Sequence, residues 1–260
     1  MLKLMKYEII KKYRELLIAL SLFGILEVIT LVLLLKKNEY TAGGVGLYSV
    51  IGVILFIFIL VDNIKMYTGD LKNKSGYMLF LTPNSGYKIL GSKLIIAFLE
   101  NVVGFIIYFF VGIINLDIVL RIMEEQGLVD LLNSMNINIE YTGADIASVF
   151  VIGIVFLCGW VVFILSIYLS ATIYKSLLSN VKHGGLITFV IFLLVNKILE
   201  VIYKLFGKIT MSVNYFDNID ITENFSNVLF FVGPWAILLL IVGAILYFIT
   251  AYLLDKKVNL

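Results

Sequence analysis

Leu81 to Lys93 reads LTPNSGYKILGSK. From Gly86 it runs G-x-x-x-x-G and then Ser92-Lys93, whereas a phosphate-binding loop ends Gly-Lys-Ser/Thr. The choice between those two readings decides the fold. A phosphate loop joins a buried parallel strand to a helix whose N-terminus helps hold the phosphate, and its Lys follows the last Gly directly. Here Ser92 intervenes, and Lys93 runs straight into LIIAFLENVVGFIIYFFVGIINL, which is apolar apart from Glu100 and two asparagines. The segment is the approach to a membrane-spanning helix. No other stretch carries a Walker-type pattern, so this chain is expected to be no enzyme and to hold no nucleotide of its own.

Composition agrees. The chain is 61% hydrophobic and 15% charged, with two prolines, where a soluble domain is about half apolar and a quarter charged. The fold class expected is an all-α polytopic membrane protein. Windows of about 20 apolar residues bounded by charge or turn residues fall at Leu16–Leu35, Gly46–Val61, Leu94–Leu116, Ile146–Tyr174, Leu186–Tyr203 and Phe231–Leu254. Six transmembrane helices in one domain, 1–260, follow.

Lysine and arginine set the orientation, because basic loops stay in the cytoplasm. Fourteen of the 20 fall at the N-terminus, between windows two and three, between four and five, or at the C-terminus; five fall in the alternate connections, and Lys197 lies inside the fifth window. Both termini are expected to be cytoplasmic, with 63–93 inside and 117–145 and 205–230 extracellular. The first window lacks a small-residue cleavage site and reads as a retained helix. Cys158 is alone, so no intrachain disulfide forms, and no Cys/His cluster suggests a metal. Eighteen lysines against two arginines, with frequent Ile and Asn, fit an AT-rich genome and place the chain in a bacterial plasma membrane.

The connection between windows two and three reads DLKNKSGYMLFLTPNSGYKILGSKLI from Asp70 to Ile96. It has a charged opening, Gly76, an apolar run Tyr77–Leu81, the turn Thr82-Pro83-Asn84-Ser85, then Lys88 and Lys93. This pattern resembles the type-2 ABC transporter permease family, the membrane subunits of bacterial exporters, as does the layout of a basic amphipathic start, six helices and a long outer segment before the last. The resemblance implies an N-terminal elbow helix at 1–15, a cytoplasmic coupling helix within Thr68–Leu81, and a short re-entrant segment before helix six, for which Gly233-Pro234 is the candidate; such a pair also suits an ordinary helix start. It also implies partners: two copies of a separate ATPase subunit, which uses ATP and Mg, and a second permease subunit, identical or not. No nucleic acid is expected.

In that reading Tyr77, Met78 and Phe80 anchor in the ATPase, Asp70, Lys72 and Lys74 form a polar rim, and Pro83 shapes the exit turn. The competing reading has the lysines holding topology against lipid headgroups. Leu2, Met5, Ile9 and Ile10 among Lys3, Lys6, Lys11, Lys12 and Arg14 suit an interfacial helix, beside the coupling helix or simply on lipid.

Ionisable groups at membrane depth default to function. Glu27, Glu100, Asn101, Lys197 and Glu200 are the candidates for a substrate cavity, or for polar packing between helices. Lys197 and Glu200, three apart, can pair with each other. Gly104, Gly112, Gly153, Ser166 and Ser170 read as close-packing positions. The cargo that the resemblance suggests is an amphipathic peptide, antimicrobial or toxic, moved for export or self-immunity. Two other classes stay open: a proton-coupled secondary transporter using Glu27 or Glu100, disfavoured by the lack of a repeat or of Gly/Pro-broken helices, and a membrane sensor or assembly protein that transports nothing.

Overall fold

The computed structural model describes residues 2–36, 41–72, 85–125, 143–178, 181, 184–212 and 225–256. They form six α-helices: α1 (Leu2–Leu35), α2 (Thr41–Lys72), α3 (Gly86–Glu125), α4 (Gly143–Leu177), α5 (Gly184–Ser212) and α6 (Phe225–Lys256). Each is long and apolar enough to cross a membrane. Apolar residues such as Ile18, Ile25, Phe110, Leu194 and Phe248 face outward, while the buried set includes Glu8, Lys12, Asp62 and Lys93. That inversion of the soluble pattern is what a lipid solvent selects: outward faces need no polarity, and polar side chains must find partners inside.

The helices outrun the hydropathy windows, because charge ends a window without ending a helix. The expected elbow, 1–15, is continuous with the first span in the 34-residue α1, so among the described residues no break separates an in-plane element from a crossing one. Asp117–Glu125, expected in an outer connection, completes α3, and 205–212 completes α5. Gly233-Pro234 lies within α6, which runs on through it; it is neither a helix start nor a chain reversal. Residues 126–142 and 213–224, which hold most of the expected extracellular segments, lie outside the described residues.

Contacts divide the chain into two compact units. One takes residues 5–62 and 98–141. In it Lys12 meets Glu100 and Glu27 meets Asn115, both at a separation of 88, so α1 and α3 run parallel and hold register across 15 residues, about 22 Å. Leu34 against Gly44 and Lys12 against Asp62 make α2 antiparallel to α1. Small residues bring α2 and α3 together: a Cβ on Gly104 would fall 2.8 Å from Ile59 Cδ1, and one on Gly112 would fall 2.7 Å from the Tyr48 hydroxyl. Tyr48 stacks on Tyr108 at 4.5 Å and donates to the Tyr108 carbonyl at 2.5 Å.

The other unit takes residues 1–4, 63–97 and 142–260. Val162, Leu165 and Leu169 of α4, spaced for one helix face, pack with Leu199 of α5 and with Val242 and Leu246 of α6. Ser166 and Ser170, fully buried, return their hydroxyls to the carbonyls of Phe163 and Ser166, which leaves α4 a narrow surface there, as small residues in spans do. The last turns of α2 lie parallel to α4, with Tyr67 bonded to Thr172 and Tyr168 donating to the Asn63 carbonyl, both at a separation of 105.

The opening stretch settles into this unit. Ser85 accepts from the amides of Lys88 and Ile89 and so starts α3. The Gly86 amide, an orphan at any helix start, donates to Asp255 Oδ1 of α6 at 2.8 Å. A Cβ at Gly86 would stand 3.1 Å from two α6 backbone atoms, Ala251 O and Asp255 N. The glycine that imitates a phosphate loop is there for helix approach.

Candidate functional site

Four groups of paired charged and polar side chains bear on the site. The first closes the base of the α2–α3 connection. Lys93 is 1% exposed, ion-paired with Asp70 of α2 and donating to the Met66 carbonyl at 3.3 Å. Asp70, expected on an exposed rim, is 6% exposed and committed to this pair. The lysine that a phosphate loop would aim at a nucleotide is therefore spent inside the protein, tying the end of α2 to the start of α3. Lys72 is the last residue of α2; Lys74, Tyr77, Met78, Phe80 and Pro83 lie outside the described residues.

The second group joins three helices. Lys12 lies ten residues into α1, Asp62 ten residues before the end of α2 and Glu100 fourteen residues into α3, so each side chain stands about 15–21 Å along its helix from the end nearest that connection. Lys12 Nζ donates to both carboxylate oxygens of Glu100 at 2.8 Å and stands 2.5 Å from Asp62 Oδ2 as an ion pair, although that oxygen takes no hydrogen bond of acceptable geometry. Glu8, one turn before Lys12, is 1% exposed, and Asn101, beside Glu100, is 8% exposed. Glu8 and Asp62 both lie within the electrostatic reach of Glu100.

The third lies four turns further along α1 and α3. Asn115 Nδ2 donates to Glu27 Oε1 at 2.8 Å, while Glu27 Oε2 and Asn115 Oδ1, both buried, have no hydrogen-bond partner among the described residues. Two acceptors are left over for want of one donor. A Glu27→Gln variant supplies it, since the new Nε2 can donate to Asn115 Oδ1 while the retained carbonyl still accepts. Its thermal midpoint in detergent is expected to equal or exceed that of wild type, whereas Glu27→Ala, which strands both Asn115 groups, should cost about 1–3 kcal/mol. A Gln variant as damaged as the Ala variant would sink this account.

The fourth is on α5. Glu200 is shared, Oε2 with Lys197 at 2.8 Å and Oε1 with Lys204 at 2.5 Å. The expected Lys197–Glu200 pair is present, extended by a second lysine that the hydropathy windows had placed outside the span. These side chains are exposed, on the side of α5 away from its packing residues.

An open cleft of about 500 Å³ sits where the last turns of α2 meet the end of α4 and the start of α5, with Ile64, Thr68, Leu71, Tyr174, Lys175 and Thr188 in its walls. Among the described residues no group of three or more His, Cys, Asp or Glu is placed to hold a metal.

Sequence reasoning thus found Glu27 and Glu100 but missed their partners, Asn115, Lys12 and Asp62, along with Lys93 as a buried charge. In the sequence Lys12 reads as part of a basic interfacial helix and Lys93 as part of the pattern entering the third span, and both count as topology signals. The usable clue was the repeat of 15 residues between Lys12 and Glu27 and between Glu100 and Asn115, which is what two parallel helices in register require. No family model, no curated protein and no solved structure matches the chain.

Proposed function

We propose that this chain is the membrane-spanning subunit of an ATP-driven exporter of the type-2 ABC permease kind, working as a homo- or heterodimer with two separate ATPase subunits in a bacterial plasma membrane. The observation that carries the reading is the clamp Asp70–Lys93 at the base of the connection between α2 and α3. A connection that receives motion from a partner must deliver it to both flanking helices together, and a buried ion pair across its base does that. Tyr77, Met78 and Phe80 seat in the ATPase, with Lys72 and Lys74 around them; Asp70 acts through Lys93 and not as part of the rim. ATP and Mg are used by the partner. The cargo in this reading is an amphipathic peptide, exported or expelled in self-protection, and the hydrolytic chemistry belongs wholly to the ATPase.

Co-expression with the ATPase encoded nearest the gene tests this. The wild-type complex should survive purification in detergent and hydrolyse ATP, and a Tyr77→Ala, Phe80→Ala double variant should lose most of the bound ATPase while keeping its elution volume and helicity, because aromatic anchors of an interface cost about 2 kcal/mol or more each when truncated. An ATPase that never co-purifies, or that binds the double variant equally well, ends the proposal. The proton-coupled alternative draws on one specific observation, the unpartnered oxygen of Glu27. It requires Glu27→Gln to abolish transport, whereas the exporter reading expects that variant to transport normally.

A further inference from the structure

We propose that the outward face of α5 is a binding site for phospholipids with an anionic headgroup. The inward face of the helix is well defined. Phe192 meets Phe163 of α4 edge-on, Val195, Leu199 and Tyr203 join the core with α4 and α6, and Phe206 packs against Trp235 of α6. These positions recur every three or four residues, so they mark one side of the helix. Lys197, Glu200, Lys204 and Lys208 fall on the other, and the first three side chains are 71%, 42% and 69% exposed. Three ammoniums against one carboxylate leave that face two positive charges in excess. Apolar side chains flank it: Leu194, Ile198, Val201, Leu205 and Ile209 are all exposed.

Depth then selects the ligand. The 29 residues of α5 span about 43 Å against a hydrocarbon core of about 30 Å, so roughly nine residues must stand in a headgroup layer. Tyr203 and the Phe206–Trp235 pair mark the level where this happens, as aromatic belts do. Gly184 to Tyr203 covers about 29 Å, which fills the core and puts Lys204 and Lys208 among headgroups. Lys197 lies about 10 Å deeper and reaches toward them along its own stem, as lysines near helix ends do, with Glu200 holding its ammonium on the way. A second copy of the same face would bring two excess positive charges against two. A phosphodiester with acyl chains instead fits both halves of the surface, the phosphate on Lys204 and Lys208 and the chains along Leu205, Val201 and Ile198.

The test measures lipid preference at the protein surface. Wild-type protein in bilayers is probed by electron spin resonance with acyl-chain spin-labelled phosphatidylglycerol and phosphatidylcholine, and the motionally restricted fraction of each gives a relative affinity. One lysine near an anionic surface contributes about 1 kcal/mol, about fivefold. Wild type should therefore favour phosphatidylglycerol by at least about fivefold. A Lys197→Gln, Lys204→Gln, Lys208→Gln variant should fall toward no preference with unchanged helicity, and Glu200→Gln, which removes the one negative charge, should raise the preference above wild type. The Glu200 arm keeps the test decisive if the triple variant misfolds, since a purely structural ladder predicts lost stability there and no gain in lipid preference. Equal restriction of the two lipids by wild type overturns the proposal, as does a preference that the lysine changes leave intact, or a triple variant whose only effect is on self-association.

Discussion

Lys12→Met is expected to be among the most damaging single changes in the protein, lowering stability by about 3–5 kcal/mol, because it removes the cation that pairs with two buried carboxylates. Asp62 and Glu100 would then be left as two carboxylates with Glu8 also in electrostatic reach, in a pocket whose side chains are 5–11% exposed. Neutralising one carboxylate is different in kind. Asp62→Asn or Glu100→Gln leaves Lys12 with the other acid, a one-to-one pair, and should cost well under half as much. Replacing the whole group, Lys12→Met with Asp62→Leu and Glu100→Met, should recover most of the loss, since well-packed apolar side chains commonly match or exceed a buried ion pair. Thermal unfolding of detergent-purified protein orders the four variants. The account fails if Lys12→Met is no worse than a change at the exposed Lys6, or if the triple variant is the weakest of the set.

That ordering bears on how much of the molecule can be read from its sequence. The six helices were legible because a run of twenty apolar residues has few alternatives in a chain with two prolines. Helix ends were not, since the windows stop at charges such as Asp62 and Lys204 while the helices continue through them. The site shows the same limit. A lone Glu27 in an apolar window announces itself, but its partner Asn115 is a modest residue near the end of another window, and nothing local joins them. Lys12 and Lys93 carry a second lesson. Positive charge near the end of a span has two uses, anchoring topology and neutralising a buried acid, and composition cannot separate them. Only the register between helices does, by bringing α1 alongside α3 at a constant offset of 88.

The second large effect is expected at the other end of the opening stretch. Asp70→Ala should cost about 3–5 kcal/mol, because Lys93 would keep its charge at 1% exposure without the carboxylate that neutralises it there. An Asp70→Leu, Lys93→Met pair should restore stability, and in the exporter reading it should also restore coupled ATP hydrolysis, since what the connection requires is that α2 and α3 stay joined at its base. A swap that restores stability without hydrolysis would separate the clamp from the coupling and leave only its structural role. The phosphate-loop reading makes the opposite prediction: Lys93→Met would abolish nucleotide binding by this chain alone while leaving the fold at full strength, as loss of an exposed phosphate-binding lysine does. Lys93 lies buried between Asp70 and the Met66 carbonyl, and Gly86 is pressed against the α6 backbone. Both groups that make the stretch look like a nucleotide loop are occupied with holding helices together, so the purified chain should show no nucleotide binding for Lys93→Met to remove.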